Sequence, residues 1–60
     1  MTKKLVYQTG DGRVIYQTTA HPDKMPWVGQ RALIPSKDGP LVVEQVHGDR
    51  SGYTAVVGAL

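Results

Sequence analysis

Glycine and proline occur so often along this chain that a long helix is excluded. Seven Gly and four Pro are spread over 60 residues, and both residue types weaken or end a helix. No long window repeats apolar residues at the spacing of an amphipathic helix. The pieces between these breaks are short and rich in Val, Ile, Tyr and Thr, which favour strands. The sequence therefore predicts an all-β fold.

The predicted strands are joined mainly by tight turns. They cover residues 3–8, 13–19, 30–35, 41–47 and 53–59. The connecting stretches "TGDG", "SKDG" and "GDRSG" are typical of hairpin turns, where Asp11, Asp38 and Asp49 are expected to bond nearby backbone amides. Because short turns join antiparallel neighbours, we predict a five-stranded antiparallel meander that forms one small β domain over residues 1–60.

The first hairpin allows a prediction of which side chains face the core. If its loop has two or four residues, one inner face carries four apolar or aromatic side chains: Leu5, Tyr7, Val14 and Tyr16. The outer face then carries an exposed Val6–Ile15 pair, with Lys4 and Arg13 beside it. A three-residue loop would break this alternation.

The second half of the chain predicts a hairpin followed by an apolar last strand. One face of the hairpin is expected to carry Ala32, Ile34, Leu41 and Val43. On the other face, Arg31 and Glu44 are expected to lie opposite one another. The final stretch "YTAVVGAL" carries no charge, and an apolar strand left as a bare edge invites aggregation. It is therefore expected either to close against the first strand or to pair with another copy of the chain.

Three stretches of this half, "VGQRALIP", "PLVVEQV" and "GYTAVV", resemble the general pattern of SH3-like domains. In that pattern a strand that begins after a Gly runs into a hairpin and then into a last strand. The resemblance covers the second half of the chain and implies that the meander curls into a small SH3-like barrel. Folds of this kind carry many functions, so the resemblance does not name one.

The side chains that could support catalysis or metal binding are few. The absence of Cys excludes disulfides and thiolate zinc sites. His21 and Asp23 are explained by a turn built from "HPD", so no metal is predicted. Apart from the Asp residues of the three hairpin turns, the carboxylates are Asp23 and Glu44, and they suggest no acid–base pair. We therefore predict a non-enzyme without a cofactor.

Composition indicates a soluble globular protein. Apolar residues make up 40% and charged residues 20% of the chain, and the net charge is +2. No apolar run is long enough for a signal peptide or a membrane span. These features predict a cytoplasmic protein without a membrane partner.

The stretch "HPDKMPWVGQR" contains the only Trp of the chain. We interpret Trp27 as a plug for an open end of the barrel, with part of its ring accessible; the alternative is an exposed anchor for a partner. The predicted function is a small non-catalytic protein-interaction module, an adaptor or inhibitor of the type that phages and mobile elements encode. The protein partner is unknown, and the predicted contact residues are Trp27, Val6, Ile15, Arg13, Lys24 and Arg31.

Two alternative functions stay open at this point. The mild positive charge is compatible with a nucleic-acid-binding small β-barrel. Its predicted contact residues are Lys4, Arg13, Lys24, Trp27 and Arg31. The second alternative is a self-assembling structural protein that forms homo-oligomers through its C-terminal strand.

Overall fold

A computed structural model describes residues 1–32, 34–35 and 39–60. The described residues form five strands: β1 (Lys3–Thr9), β2 (Val14–Ala20), β3 (Arg31–Ala32), β4 (Leu41–Asp49) and β5 (Gly52–Ala59). They build one strongly curled half-barrel sheet. The all-β class and the curled five-stranded sheet are therefore confirmed. The turn predicted around Asp38 lies outside the described residues.

The strand order across the sheet is β2-β1-β5-β4-β3. Three of the pairings are antiparallel, as predicted, whereas β1 and β5 pair in parallel, with Leu5 beside Tyr53. The predicted meander is interrupted, because β2 and β3 are the two edges of the described sheet and do not pair. The first and last of the five strands nevertheless run in the same direction. When the sheet curls far enough for them to meet, they pair in parallel. The apolar last strand thus closes against the first, which was one of the two outcomes expected for it.

The hydrophobic core lies on the inner face of β1, β4 and β5. Its buried side chains are Leu5, Leu41, Val43, Ala55 and Val57. Ala32 and Ile34 pack against this cluster. The inner face predicted for the β3–β4 hairpin is therefore confirmed.

The cross-strand partners in this hairpin differ from the prediction. Arg31 lies opposite Val42, and Glu44 lies over Gly58 instead, since a Cβ built on Gly58 would come within 2.7 Å of the Glu44 carboxyl carbon. The expected Arg31–Glu44 pair is thus wrong. The register is displaced by two residues, an even number, and for that reason the faces stayed correct while the partners changed.

The first hairpin turns through three residues, which breaks the predicted alternation near its end. The Thr9 amide donates to the Arg13 carbonyl at 2.9 Å, and the Gly12 amide donates to the Thr9 carbonyl at 3.0 Å. Gly12 has a φ of 93°, which a residue with a side chain rarely adopts. As a result Val14 pairs with Gln8 and is 47% exposed. Its predicted place in the core is wrong.

A β-bulge at Ile15 then restores the alternation. The register shifts by one residue between Tyr7 and Gln8, so Tyr7 lies opposite Tyr16 with the ring centroids 6.2 Å apart. The inner positions predicted for Leu5, Tyr7 and Tyr16 agree with this register. Ile15 is the extra residue and packs against the core, and Val6 lies opposite Gln17. The exposed Val6–Ile15 pair is therefore not formed.

The turn between β4 and β5 is held by one carboxylate. Asp49 Oδ1 accepts from the Ser51 amide at 2.8 Å, the Ser51 hydroxyl at 2.7 Å and the Gly52 amide at 3.0 Å. The pKa of Asp49 is lowered, first by the hydrogen bond from the Ser51 hydroxyl and then by the one from the Ser51 backbone amide. The turn role predicted for this residue is confirmed.

Little of the described chain is helical. The helical segment of the described residues is a 3-10 turn, Pro22–Lys24. Within that part of the chain, no helix is long and apolar enough to cross a membrane.

Candidate functional site

The sheet stays open between its two edge strands, β2 and β3, and residues 21–30 connect them. This connector begins with the 3-10 turn, where the Nδ1 of His21 accepts from the Asp23 amide at 3.4 Å. The same nitrogen lies 3.5 Å from a carboxylate oxygen of Asp23. The turn predicted from "HPD" is thus confirmed. Among the described residues, no group of three or more side chains could hold a metal ion.

The middle of the connector fastens it to the core. Pro26 is buried, and Met25 packs against the buried cluster. These two side chains cover the apolar interior at the open side, which is the role that the sequence assigned to Trp27. Pro26 brings little conformational entropy to lose, since its ring already restricts the backbone.

Trp27 itself lies at the surface, so its interpretation as a plug is wrong. Its side chain is 64% exposed, and that of Val28 is 63% exposed. The Gln30 amide donates to the Trp27 carbonyl at 3.0 Å, and Gly29 has a φ of 94° while Val28 has a negative one. This is the geometry of a type II turn. We call these four residues the Trp27 turn.

The Trp27 turn is tied directly to a central strand. The Gly29 amide donates to the Val43 carbonyl at 2.8 Å, and the Val43 amide donates to the Gln30 carbonyl at 2.8 Å. Val43 is 1% exposed and belongs to the core. The backbone of the turn therefore has a defined position, although its two apolar side chains point away from the interior.

The exposure of Val28 was not predicted from the sequence. The signal was present in "WVGQ", because Gly is required at the third position of a type II turn. A turn at this point exposes the first two residues, Trp27 and Val28.

The cations predicted near Trp27 lie before and after the Trp27 turn in the sequence. Lys24 ends the 3-10 turn and Arg31 begins β3, and both side chains are exposed. Neither of them stacks on the Trp27 ring within the described part of the chain. The compact basic–aromatic group expected from the sequence is therefore an exposed aromatic turn with a cation on each side of it in the sequence.

Lys4 and Arg13 do not lie together. Lys4 pairs with Thr19 near one end of the first hairpin, whereas Arg13 is hydrogen-bonded to Thr9 at the other end. The five residue-to-residue steps from Lys4 to Thr9 correspond to roughly 17 Å of strand. A nucleic-acid surface that includes both would have to run along the whole hairpin.

A concave region of about 440 Å³ lies beside the first hairpin turn, and Asp11 and Glu44 are among its lining residues. Asp11 stabilises the hairpin turn, because its carboxylate accepts hydrogen bonds from the Thr9 hydroxyl and the Arg13 amide. The bond from Thr9 is the first cause of the lowered pKa of Asp11, and the bond from the Arg13 amide is the second. Sequence reasoning missed this depression because three separate segments line it: Thr9, Gly10, Asp11, Arg13, Leu41, Glu44, Val57, Gly58 and Ala59.

Comparisons of the chain with protein-family models, with curated proteins and with solved structures find no match. The chemistry of the Trp27 turn and of the sheet edges is therefore the basis for a functional assignment.

Proposed function

We propose that this protein is a small, non-catalytic protein-interaction module that binds its partner through the Trp27 turn. The observation that carries the proposal is the exposure of two adjacent apolar side chains, Trp27 at 64% and Val28 at 63%, on a hydrogen-bonded turn. The core does not need them, since Met25 and Pro26 cover the open side.

The fixed backbone of the turn favours binding. A side chain presented on an ordered turn loses less conformational entropy on association than one on a mobile loop. Trp is also the residue type most often found to dominate interface energies. The bonds from Gly29 and Gln30 to Val43 hold the turn in place, so Trp27 is prepared to enter an apolar pocket.

The charges around the turn suggest the character of the partner. Lys24 precedes and Arg31 follows the Trp27 turn in the sequence, and both are exposed; with the exposed Asp23 beside Lys24, the three charges sum to +1. A rim of net positive charge favours partners of negative charge and speeds their association. We therefore propose a partner with an apolar pocket and acidic groups around it.

The experiment compares Trp27→Ala with a matched control, Val14→Ala. Val14 is also an exposed apolar residue, but it lies on β2. The wild-type protein is used to capture its partner from host cells, and the purified partner is then titrated with all three proteins. Trp27→Ala should weaken binding at least tenfold, which corresponds to about 1.4 kcal/mol, whereas Val14→Ala should bind like wild type.

Equal affinity of Trp27→Ala and wild type would contradict the proposal, provided that circular dichroism shows both to be folded. The same preparations are titrated with mixed-sequence DNA and RNA at low and moderate salt. Tight nucleic-acid binding that weakens steeply with salt would replace the proposal with the alternative function.

A further inference from the structure

The strand β2 is an edge that lacks the usual protection. Its seven residues, Val14–Ala20, pair with β1 on one side and form the end of the described sheet on the other. The strand contains no Lys, no Pro and no charged residue. Natural sheets normally protect an open edge with such residues or by making the strand very short.

The other edge, β3, shows the protection that β2 lacks. It has two residues and begins with the exposed cation of Arg31. Pro35 follows shortly after, and it has no amide to donate to an added strand. Within the part of the chain that the structure describes, the two edges therefore differ in length and in charge, and β2 is the edge that offers a template for strand pairing.

We propose that the free edge of β2 pairs antiparallel with β2 of a second copy, which gives a two-fold symmetric dimer with one continuous sheet. A two-fold axis perpendicular to the sheet keeps inner faces next to inner faces, so residues of the same parity must lie opposite one another. The regular part of β2 runs from Tyr16, after the bulge at Ile15, to Ala20. A register centred on Thr18 pairs this entire stretch with itself.

In this register the edge is complementary to itself. On the inner face, the large ring of Tyr16 lies opposite the small side chain of Ala20 of the second copy. On the outer face, Gln17 lies opposite Thr19 of the second copy, and these two polar side chains are both exposed in the single chain. No like charges oppose one another, which would destabilise a cross-strand pair.

The size of the core supplies the stability argument for a second copy. Five hydrophobic side chains are buried among the described residues, and the chain has no Cys for a disulfide. Domains of this size often gain stability from oligomerisation. Self-association through the C-terminal strand was the form expected from the sequence, but β5 has β1 on one side and β4 on the other. Because β2 is the uncharged strand with a free edge, we expect self-association at β2 instead.

The test measures the dimer by sedimentation equilibrium over a wide range of protein concentration. Because the paired stretch is short, we expect a dissociation constant in the micromolar to millimolar range. In the double variant Gln17→Lys, Thr19→Lys, each lysine opposes a lysine of the second copy, and the dissociation constant should rise at least tenfold. In the matched variant Gln17→Lys, Thr19→Glu, the same positions oppose opposite charges, and dimerisation should be retained.

Three results would overturn the proposal: a wild-type protein that stays monomeric at the highest concentration, a dimer that both variants leave unchanged, or one that both weaken equally. Circular dichroism confirms that each variant is folded. Trp27→Ala should dimerise like wild type, because the Trp27 turn is not part of this interface. That comparison also separates a failure of the dimer from a failure of the proposed function.

Discussion

The two sides of the half-barrel differ in how far their apolar side chains are exposed. Where β1, β5 and β4 meet, which we call the closed seam, Leu5, Val43 and Val57 are 3%, 1% and 1% exposed. On the open side, formed by β2, residues 21–30 and β3, Trp27 and Val28 are both more than 60% exposed. The seam has strands on both sides of β5, whereas the open side has a single connector. The buried core thus lies at the closed seam, whereas the residues proposed to bind a partner lie on the open side.

The largest effect that would test this contrast is expected at Gly52 in the closed seam. Its φ is 145°, and a Cβ at this position would lie 2.3 Å from the Lys4 carbonyl oxygen. Because that oxygen belongs to the neighbouring backbone of β1, Gly52→Ala must push β1 and β5 apart. We expect a loss of roughly 3 kcal/mol in the free energy of unfolding, measured by urea denaturation.

The matched control is Gly10→Ala in the first hairpin turn. A Cβ on Gly10 meets no atom within 4 Å. Its free energy of unfolding should change by less than about 1 kcal/mol. If both substitutions lower the free energy of unfolding by the same amount, the parallel contact of β1 with β5 does not hold the sheet together.

The next effect compares one apolar residue from each side. Leu5→Ala removes a side chain that is 3% exposed and should cost about 2–3 kcal/mol. Val14→Ala removes one that is 47% exposed and should cost under about 1 kcal/mol. Thermal unfolding followed by circular dichroism measures both. A larger loss for Val14→Ala would show that the three-residue loop and the bulge have been placed wrongly.

The smallest effect concerns the dependence of the seam on pH. The pKa of Asp49 is lowered, first by the Ser51 hydroxyl and then by the Ser51 amide. A lowered pKa stabilises the fold above the unfolded value of about 3.9. This contribution is lost as the pH falls through the lower, folded value, because protonation then weakens the turn.

The measurement is the melting temperature of wild type and Ser51→Ala from neutral to acid pH. Ser51→Ala removes the largest cause of the shift and keeps the Ser51 and Gly52 amides as donors to Asp49. Its melting temperature should fall less steeply in acid than that of wild type. Identical slopes would mean that this turn does not contribute to the acid sensitivity.

Most of the strands and two of the turns were predictable from short-range features. The alternation in β1 and the Gly–Asp turns placed Leu5, Tyr7 and Asp49 correctly, since each depends on residues only a few positions away. The first hairpin shows where such reasoning ends. Loops of two, three or four residues fit the same "TGDG" stretch, and a difference of one residue exchanges Val14 and Ile15 between the faces.

The sequence predicted which segment carries the candidate site but not which of its side chains are buried and which are exposed. The sequence identified the connector and Trp27, but it assigned the covering of the core to Trp27. Met25 and Pro26 do this instead. Several apolar side chains in one connector compete for a small interior, and which of them enters depends on how the ends of that connector are held. The bonds to Val43 on β4, distant in sequence, decide this.

By itself, the amino-acid sequence determined the strand-forming segments, the turn positions and the lack of long helices, because these depend on the steric preferences of neighbouring residues. The tertiary structure alone decided that β1 and β5 meet in parallel and that the sheet remains open between β2 and β3. These features depend on how far the whole sheet curls, which is a sum over all strand pairs. The free edge of β2 follows from that curl, whereas the exposure of Trp27 follows from the hydrogen bonds between the connector and Val43.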